Sequence, residues 1–95
     1  MVVAYEGEDV AGMAYGHVLP RPDGAPPKAL LYSIDVLEEH RRKGVGAALV
    51  RAFREAAPGP LWVVTNASNE AAMRLYAATG GVRPHEDDVV FVYPA

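Results

Sequence analysis

The chain contains no cysteine, so it has neither a disulfide framework nor thiolate ligands for a metal. No apolar run approaches the roughly 20 residues that a membrane-spanning helix requires. The first ten residues reach Glu6, Glu8 and Asp9 too soon for the apolar stretch of a signal peptide. A basic surplus is missing as well: 9 Lys and Arg face 12 Asp and Glu, a formal net charge of −3. General binding to nucleic acid needs a basic surface with interleaved aromatics, and neither is present. The three histidines, at 17, 40 and 85, have no spacing that makes a metal site or a catalytic triad. The expectation is a cytoplasmic protein with no metal, no membrane anchor and no nucleic-acid partner.

What is present is a chain of 95 residues, 51% hydrophobic and 22% charged, sized for a single domain over 1–95 with a modest core. Met1–Tyr5 and Val10–Leu19 read as two strands of a hairpin turning at Glu6-Gly7-Glu8-Asp9. Pro20–Pro27 carries too much proline and glycine for regular structure and reads as an exposed loop. In Lys28–Leu37, Leu30, Tyr32, Ile34 and Val36 alternate with Ser33 and Asp35, which predicts a strand with one apolar face. From Gly44 the period changes: Val45, Leu49 and Phe53, with alanines at 48, 52 and 56, trace a helical stripe that Pro58-Gly59-Pro60 ends. Leu61–Thr65 is a short apolar strand of the kind found in a parallel sheet covered on both faces. Asn66 to Asn69 offer N-caps for a helix over Glu70–Thr79, which stops at Gly80-Gly81. Asp88–Tyr93 reads as a closing strand. The order β-β-β-α-β-α-β predicts an α/β fold (α+β, mixed sheet), antiparallel at first with a βαβ crossover in the middle.

The basic stretch Arg41-Arg42-Lys43 runs into Gly44-Val45-Gly46 just where the helix begins. A helix start leaves four backbone N–H groups without partners, and the peptide dipoles add partial positive charge there. Glycines allow a phosphate close to the backbone, and the cations add charge-assisted hydrogen bonds. A tight turn with a solvated basic cluster fits the same residues, and spacing alone leaves both readings open. The P-loop is excluded because no Gly-Lys-Ser/Thr triplet occurs. The dinucleotide fingerprint is excluded because Leu49 stands where its third glycine or alanine is needed.

Ile34–Val50 resembles the acyl-CoA-binding segment of the GNAT superfamily of N-acetyltransferases, whose Arg/Gln-x-x-Gly-x-Gly/Ala signature is filled by Arg41, Gly44 and Gly46. A second block, Asn-x-x-Ala-x-x-Leu-Tyr-x-x-x-Gly, is matched by Asn69, Ala72, Leu75, Tyr76 and Gly80. The resemblance runs from about Val2 to the C-terminus, and Tyr15–Gly24 with Leu31–Leu49 is most similar to the aminoglycoside 3-N-acetyltransferase branch.

The resemblance implies an acetyl-CoA-dependent enzyme acting on a primary amine, aminoglycoside-like or another small cation, by direct attack. It implies that backbone groups of Ile34, Asp35 and Val36 hold the pantetheine arm. The amides of Arg42, Lys43, Gly44, Val45, Gly46 and Ala47 would wrap the pyrophosphate, with Arg41 supporting the turn. The Val36 amide would also face the thioester carbonyl as an oxyanion donor. Asn69 would hydrogen-bond the cofactor arm; its alternative role is an N-cap. Tyr76 would be the general acid that protonates the leaving thiolate; read without the resemblance, it is a core aromatic beside Ala72 and Leu75. No general base is named, with Asp35, Glu38 or a water chain in range. Family members usually carry a strand and two helices ahead of the position of Met1, so one sheet face is expected to be bare and to mark a homodimer or an obligate partner. A rival function is a catalytically weak acyl-CoA-binding module. His85–Asp88 and Glu38-Glu39 could add negative charge for a cationic acceptor, or simply be solvated.

Overall fold

Gly7 and Glu8 join β1 (Val2–Glu6) to β2 (Asp9–Leu19), with Gly7 at φ 63°, a conformation that costs glycine little. The computed structural model describes residues 1–87 and 89–94. After the proline-rich loop, β3 (Lys28–Val36) pairs antiparallel with β2, and β4 (Leu61–Val63) pairs parallel with β3. The sheet order is β1-β2-β3-β4. Between β3 and β4 the chain makes a short 3-10 helix, Glu38–His40, and then α1 (Val45–Ala56). After β4 comes α2 (Glu70–Ala78).

The helical stripe expected around Leu49 is the core. Leu49 and Val50 are buried against Ala14 and Leu31, with Ile34, Val36, Val45, Phe53, Leu75 and Tyr76 packed around them. α1 lies across β1, β2 and β3, while α2 touches the same layer through α1. Burying one leucine such as Leu49 contributes about 1.5–3 kcal/mol, so a core this small leaves little excess stability.

The apolar face of β3 differs from the expected one. Leu31, rather than Leu30 or Tyr32, joins Ile34 and Val36 over the core, and Tyr32 is 65% exposed. The register slips between Tyr15 and Gly16, so that Tyr15 opposes Ser33 while Gly16 opposes Leu31. One extra residue on a strand reverses the side-chain alternation beyond it. Gly16 makes the bulge possible: a Cβ there would sit 1.9 Å from the Leu30 carbonyl oxygen. Gly16→Ala is therefore expected to cost about 3 kcal/mol, readable as a lower urea midpoint with an unchanged slope.

Two further expectations are corrected. Leu61–Thr65 was expected to be covered on both sides, yet Trp62 is 43% exposed, with the Lys28 ammonium over its ring, 4.2 Å from the centroid. The closing strand is not formed over 89–94. Val89 to Tyr93 are 70–93% exposed, so their β-branched and aromatic side chains have nothing to pack against. Strand propensity is chiefly a preference for a paired, half-buried surface, and without a partner it builds no strand. Asp88, the first residue of that expected strand, lies outside the described residues. The sheet face away from α1 is bare among the described residues. There Tyr15, His17 and Tyr32 cluster, with ring centroids 5.3–6.3 Å apart. No helix among the described residues is long and apolar enough to cross a membrane.

Candidate active site

β3 outruns its parallel neighbour. β4 pairs only with Ala29–Leu31, so one edge of β3 has no strand partner from Tyr32 onward. Which backbone groups face that edge follows from alternation. The Leu37 amide donates to the Ala11 carbonyl on the β2 side, at 2.8 Å. The N–H and C=O of Val36 and Ile34 therefore point the opposite way, toward the open edge. Arg41 agrees with this: its Nε donates to the Val36 carbonyl oxygen at 3.1 Å. Asp35 turns its backbone toward Met13 on β2.

Across the open edge stands α2, and the two enclose a cleft of about 480 Å³. Ile34, Asp35, Val36, Arg41 and Gly46 line one side, and Asn69, Leu75 and Tyr76 the other. Arg42, Lys43, Gly44, Val45 and Ala47 belong to the turn and first helical residues beside the cleft but not to its lining. A larger hollow of about 610 Å³ between α1, β4 and Thr79–Pro84 shares Tyr76 but contains none of the turn's amides.

The turn into α1 is built to leave donors open. Gly44 is the N-cap at φ 78°, with no side-chain cap and no acidic residue in the first helical turn. The Ala48 amide makes the first helical bond, to the Gly44 carbonyl at 3.0 Å. The amides of Val45, Gly46 and Ala47 are left as the orphan donors of the helix start, with the positive end of its dipole behind them. A Cβ at Gly46 would meet the Leu75 side chain at 3.4 Å, an ordinary contact, so the room that the glycine leaves would be filled by a side chain longer than alanine's.

Arg42 is the one non-glycine residue with positive φ among the described residues, at 65°. That conformation costs a residue with a Cβ about 1–2 kcal/mol and persists only where neighbours hold it. Arg41 on one side is tied to Val36. On the other, Lys43 Nζ reaches both Glu6 carboxylate oxygens at 3.3 Å, and the same carboxylate contacts His40 Nδ1. These two contacts, His40 first, hold the Glu6 carboxyl below the usual carboxylate range. Stability from this group is present above the ordinary carboxylate range and is lost as pH falls through its lowered value. Sequence reading missed Glu6: it placed the residue in a hairpin turn, and nothing local announces a partner 34 residues away.

Asn69 is the N-cap of α2, its Oδ1 accepting from the Ala72 amide at 3.1 Å. That engages its oxygen and leaves the side-chain nitrogen as a donor at the cleft wall. Tyr76 is half-buried at the helix face, and burial pushes its phenol above the ordinary value of 10. Among the described residues no buried side-chain oxygen or nitrogen lacks a partner. Of the possible bases, Asp35 lines the cleft and Glu38 does not. His85, Glu86 and Asp87 are exposed and away from the lining; Asp88 lies outside the described residues.

The sequence profile of the Acetyltransferase (GNAT) family matches residues 1–80. Mycothiol acetyltransferase of Thermomonospora curvata is 41% identical over 76 residues, which is 80% of this chain but 25% of that protein. Among solved structures, an aminoglycoside acetyltransferase from an uncultured soil metagenomic sample superposes with a TM-score of 0.81 at 24% identity, over 98% of this chain and 62% of its own. The aminoglycoside N-acetyltransferase AAC(6')-Iy, solved with CoA, gives 0.77 at 20% identity over 98% of this chain and 73% of its own. The chain thus spans about a quarter of the curated relative's length, and the structural likenesses speak for the fold. With the family profile matched over most of its length, this chain belongs to the GNAT family of acetyltransferases.

Proposed function

We propose that this chain is an N-acetyltransferase that moves the acetyl group of acetyl-CoA to a primary amine by direct attack. One observation carries the reading: the outward-facing amides of Ile34 and Val36, the uncapped start of α1 and the Tyr76 side chain all border one cleft. The donor chemistry fits CoA, an elongated ligand with a pyrophosphate at one end and amide groups along its arm. Orphan amides and the cations Arg41 and Arg42 suit the pyrophosphate, and a free strand edge suits an amide-bearing arm.

Acetyl-CoA, when bound, supplies an activated acyl carbonyl and a thiolate leaving group. The Val36 N–H donates to the carbonyl oxygen as negative charge builds there. Tyr76 holds the proton that the departing sulfur needs. The acceptor amine reaches the carbonyl neutral, its proton passing to Asp35 or to water. Asn69 braces α2 and offers its side-chain nitrogen to the arm.

The acceptor is a small amine. Relatives named for aminoglycosides and for mycothiol support that class, while the aminoglycoside 3-N branch rests on the resemblance of Tyr15–Gly24 and Leu31–Leu49 alone. Tyr32 both lines the cleft and lies on the bare sheet face, so the acceptor side is open in a single copy. That openness favours two ideas. One is the rival function, an acyl-CoA-binding module with little turnover. The other is a cytoplasmic homodimer in which the Tyr15–His17–Tyr32 patch is covered. Light scattering at micromolar concentration is expected to give twice the chain mass, and a clean monomer contradicts the dimer. Release of CoA thiol across a panel of amines decides between enzyme and binding module: turnover with at least one small cationic amine is expected, and binding without turnover supports the rival.

A further inference from the structure

We propose that Glu6 is a positioning residue for the anion-binding turn, a carboxylate at the end of the edge strand that holds His40 and Lys43 and so keeps the Arg42–Ala47 backbone in its donor geometry. The inference rests on reading that turn as the CoA pyrophosphate site.

Three observations converge on it. First, Glu6 contacts two residues that bracket the strained one: His40 and Lys43 lie on either side of Arg41 and Arg42. Second, the contact is partly sheltered, the His40 side chain being only 13% exposed beneath it. Third, α1 packs across β1 through apolar side chains such as Val2, Ala4 and Val45, and Glu6 adds the polar contacts from the end of that strand to His40 and Lys43. The register shifts between Ala4 and Tyr5, where Ala11 is the extra residue on β2, so the irregularity in the pair lies just before Glu6.

A negative charge beside an anion site also repels the anion, so two effects oppose each other. Glu6 is about half exposed, and at physiological salt its field is screened over about 8 Å. The turn geometry, in contrast, decides how many backbone donors converge on one ligand, and a left-handed Arg42 released from its neighbours reorients several of them. Positioning therefore outweighs repulsion, and removing the charge weakens binding. Lys43, held by Glu6, serves the turn through this contact rather than as a direct ligand.

The test compares the unaltered chain with Glu6→Gln, Lys43→Gln and the double variant. Calorimetry with CoA, steady-state kinetics and amide hydrogen exchange are measured on each. Glu6→Gln is expected to weaken CoA binding about three- to fivefold, the upper end of what an exposed ion pair contributes. KM for acetyl-CoA should rise by a similar factor with kcat unchanged, and amides 41–46 should exchange faster while those of Leu49 to Phe53 do not. Because the two side chains act through one contact, the double variant is expected to be no weaker than the worse single one. Equal or tighter binding by Glu6→Gln, with exchange at 41–46 unaltered, overturns the role of Glu6 alone. Absence of CoA binding by the unaltered chain overturns the cofactor reading and this role with it. If Glu6→Gln lowers the Tm throughout, Glu6→Asp decides: restored Tm with binding still weakened supports positioning, and full restoration of both overturns it.

Discussion

Tyr76→Phe is expected to lower kcat by about 10²–10⁴-fold, the usual contribution of a general acid, while CoA affinity and Tm barely move. The phenylalanine keeps the ring that packs beside Leu75 against the Leu49 and Val50 core. What it deletes is the proton. Burial raises the phenol above 10, whereas an ordinary thiol titrates near 8.5. Transfer to the leaving sulfur is therefore uphill by a modest amount. The acid works only while protonated, so rate dependent on Tyr76 is lost as pH rises through its raised value. No alkaline limb from this group is expected below pH 10. An unchanged kcat in Tyr76→Phe reduces Tyr76 to a core aromatic.

Gly46→Glu is expected to abolish acetyl-CoA binding in a folded protein. The new side chain would start 3.4 Å from Leu75 and project a carboxylate at the mouth of the cleft, among the orphan amides that the pyrophosphate needs. Bulk and like charge act together. Stability should not collapse, because an acidic residue in the first turn favours the helix dipole by about 0.3–1 kcal/mol, and the glycine it replaces is a poor helix former. Calorimetry separates the two consequences: lost binding with an intact melting transition is the expected pair. Retained affinity in the folded variant shows that the anion does not rest on this turn.

Much of this architecture is legible in the sequence because it rests on local signals. The period of Val45, Leu49 and Phe53, the stop at Pro58-Gly59-Pro60 and the cap at Asn69 all fall where they were expected. The two glycine-bearing motifs, read as a resemblance, bring Arg41, Gly46, Asn69 and Tyr76 to one cleft. What was not legible depends on contacts remote in sequence. The face of Tyr32 was misread because the bulge is set by the close approach of Gly16 to Leu30, on a different strand. The strand expected at the C-terminus was misread because propensity says nothing of whether a partner edge is present. Glu6 stayed invisible because its role exists only once β1 and the basic turn are side by side.

The account's central claim is that acetyl-CoA lies along the free edge of β3 with its pyrophosphate at the start of α1. Backbone amide shifts recorded while acetyl-CoA is titrated into the isotopically labelled chain test this most directly. The largest changes are predicted at Ile34, Val36 and Gly44 through Ala47, saturating together with a single dissociation constant. Changes confined to the hollow by Leu61, Trp62 and Gly80, or none at all, would contradict it.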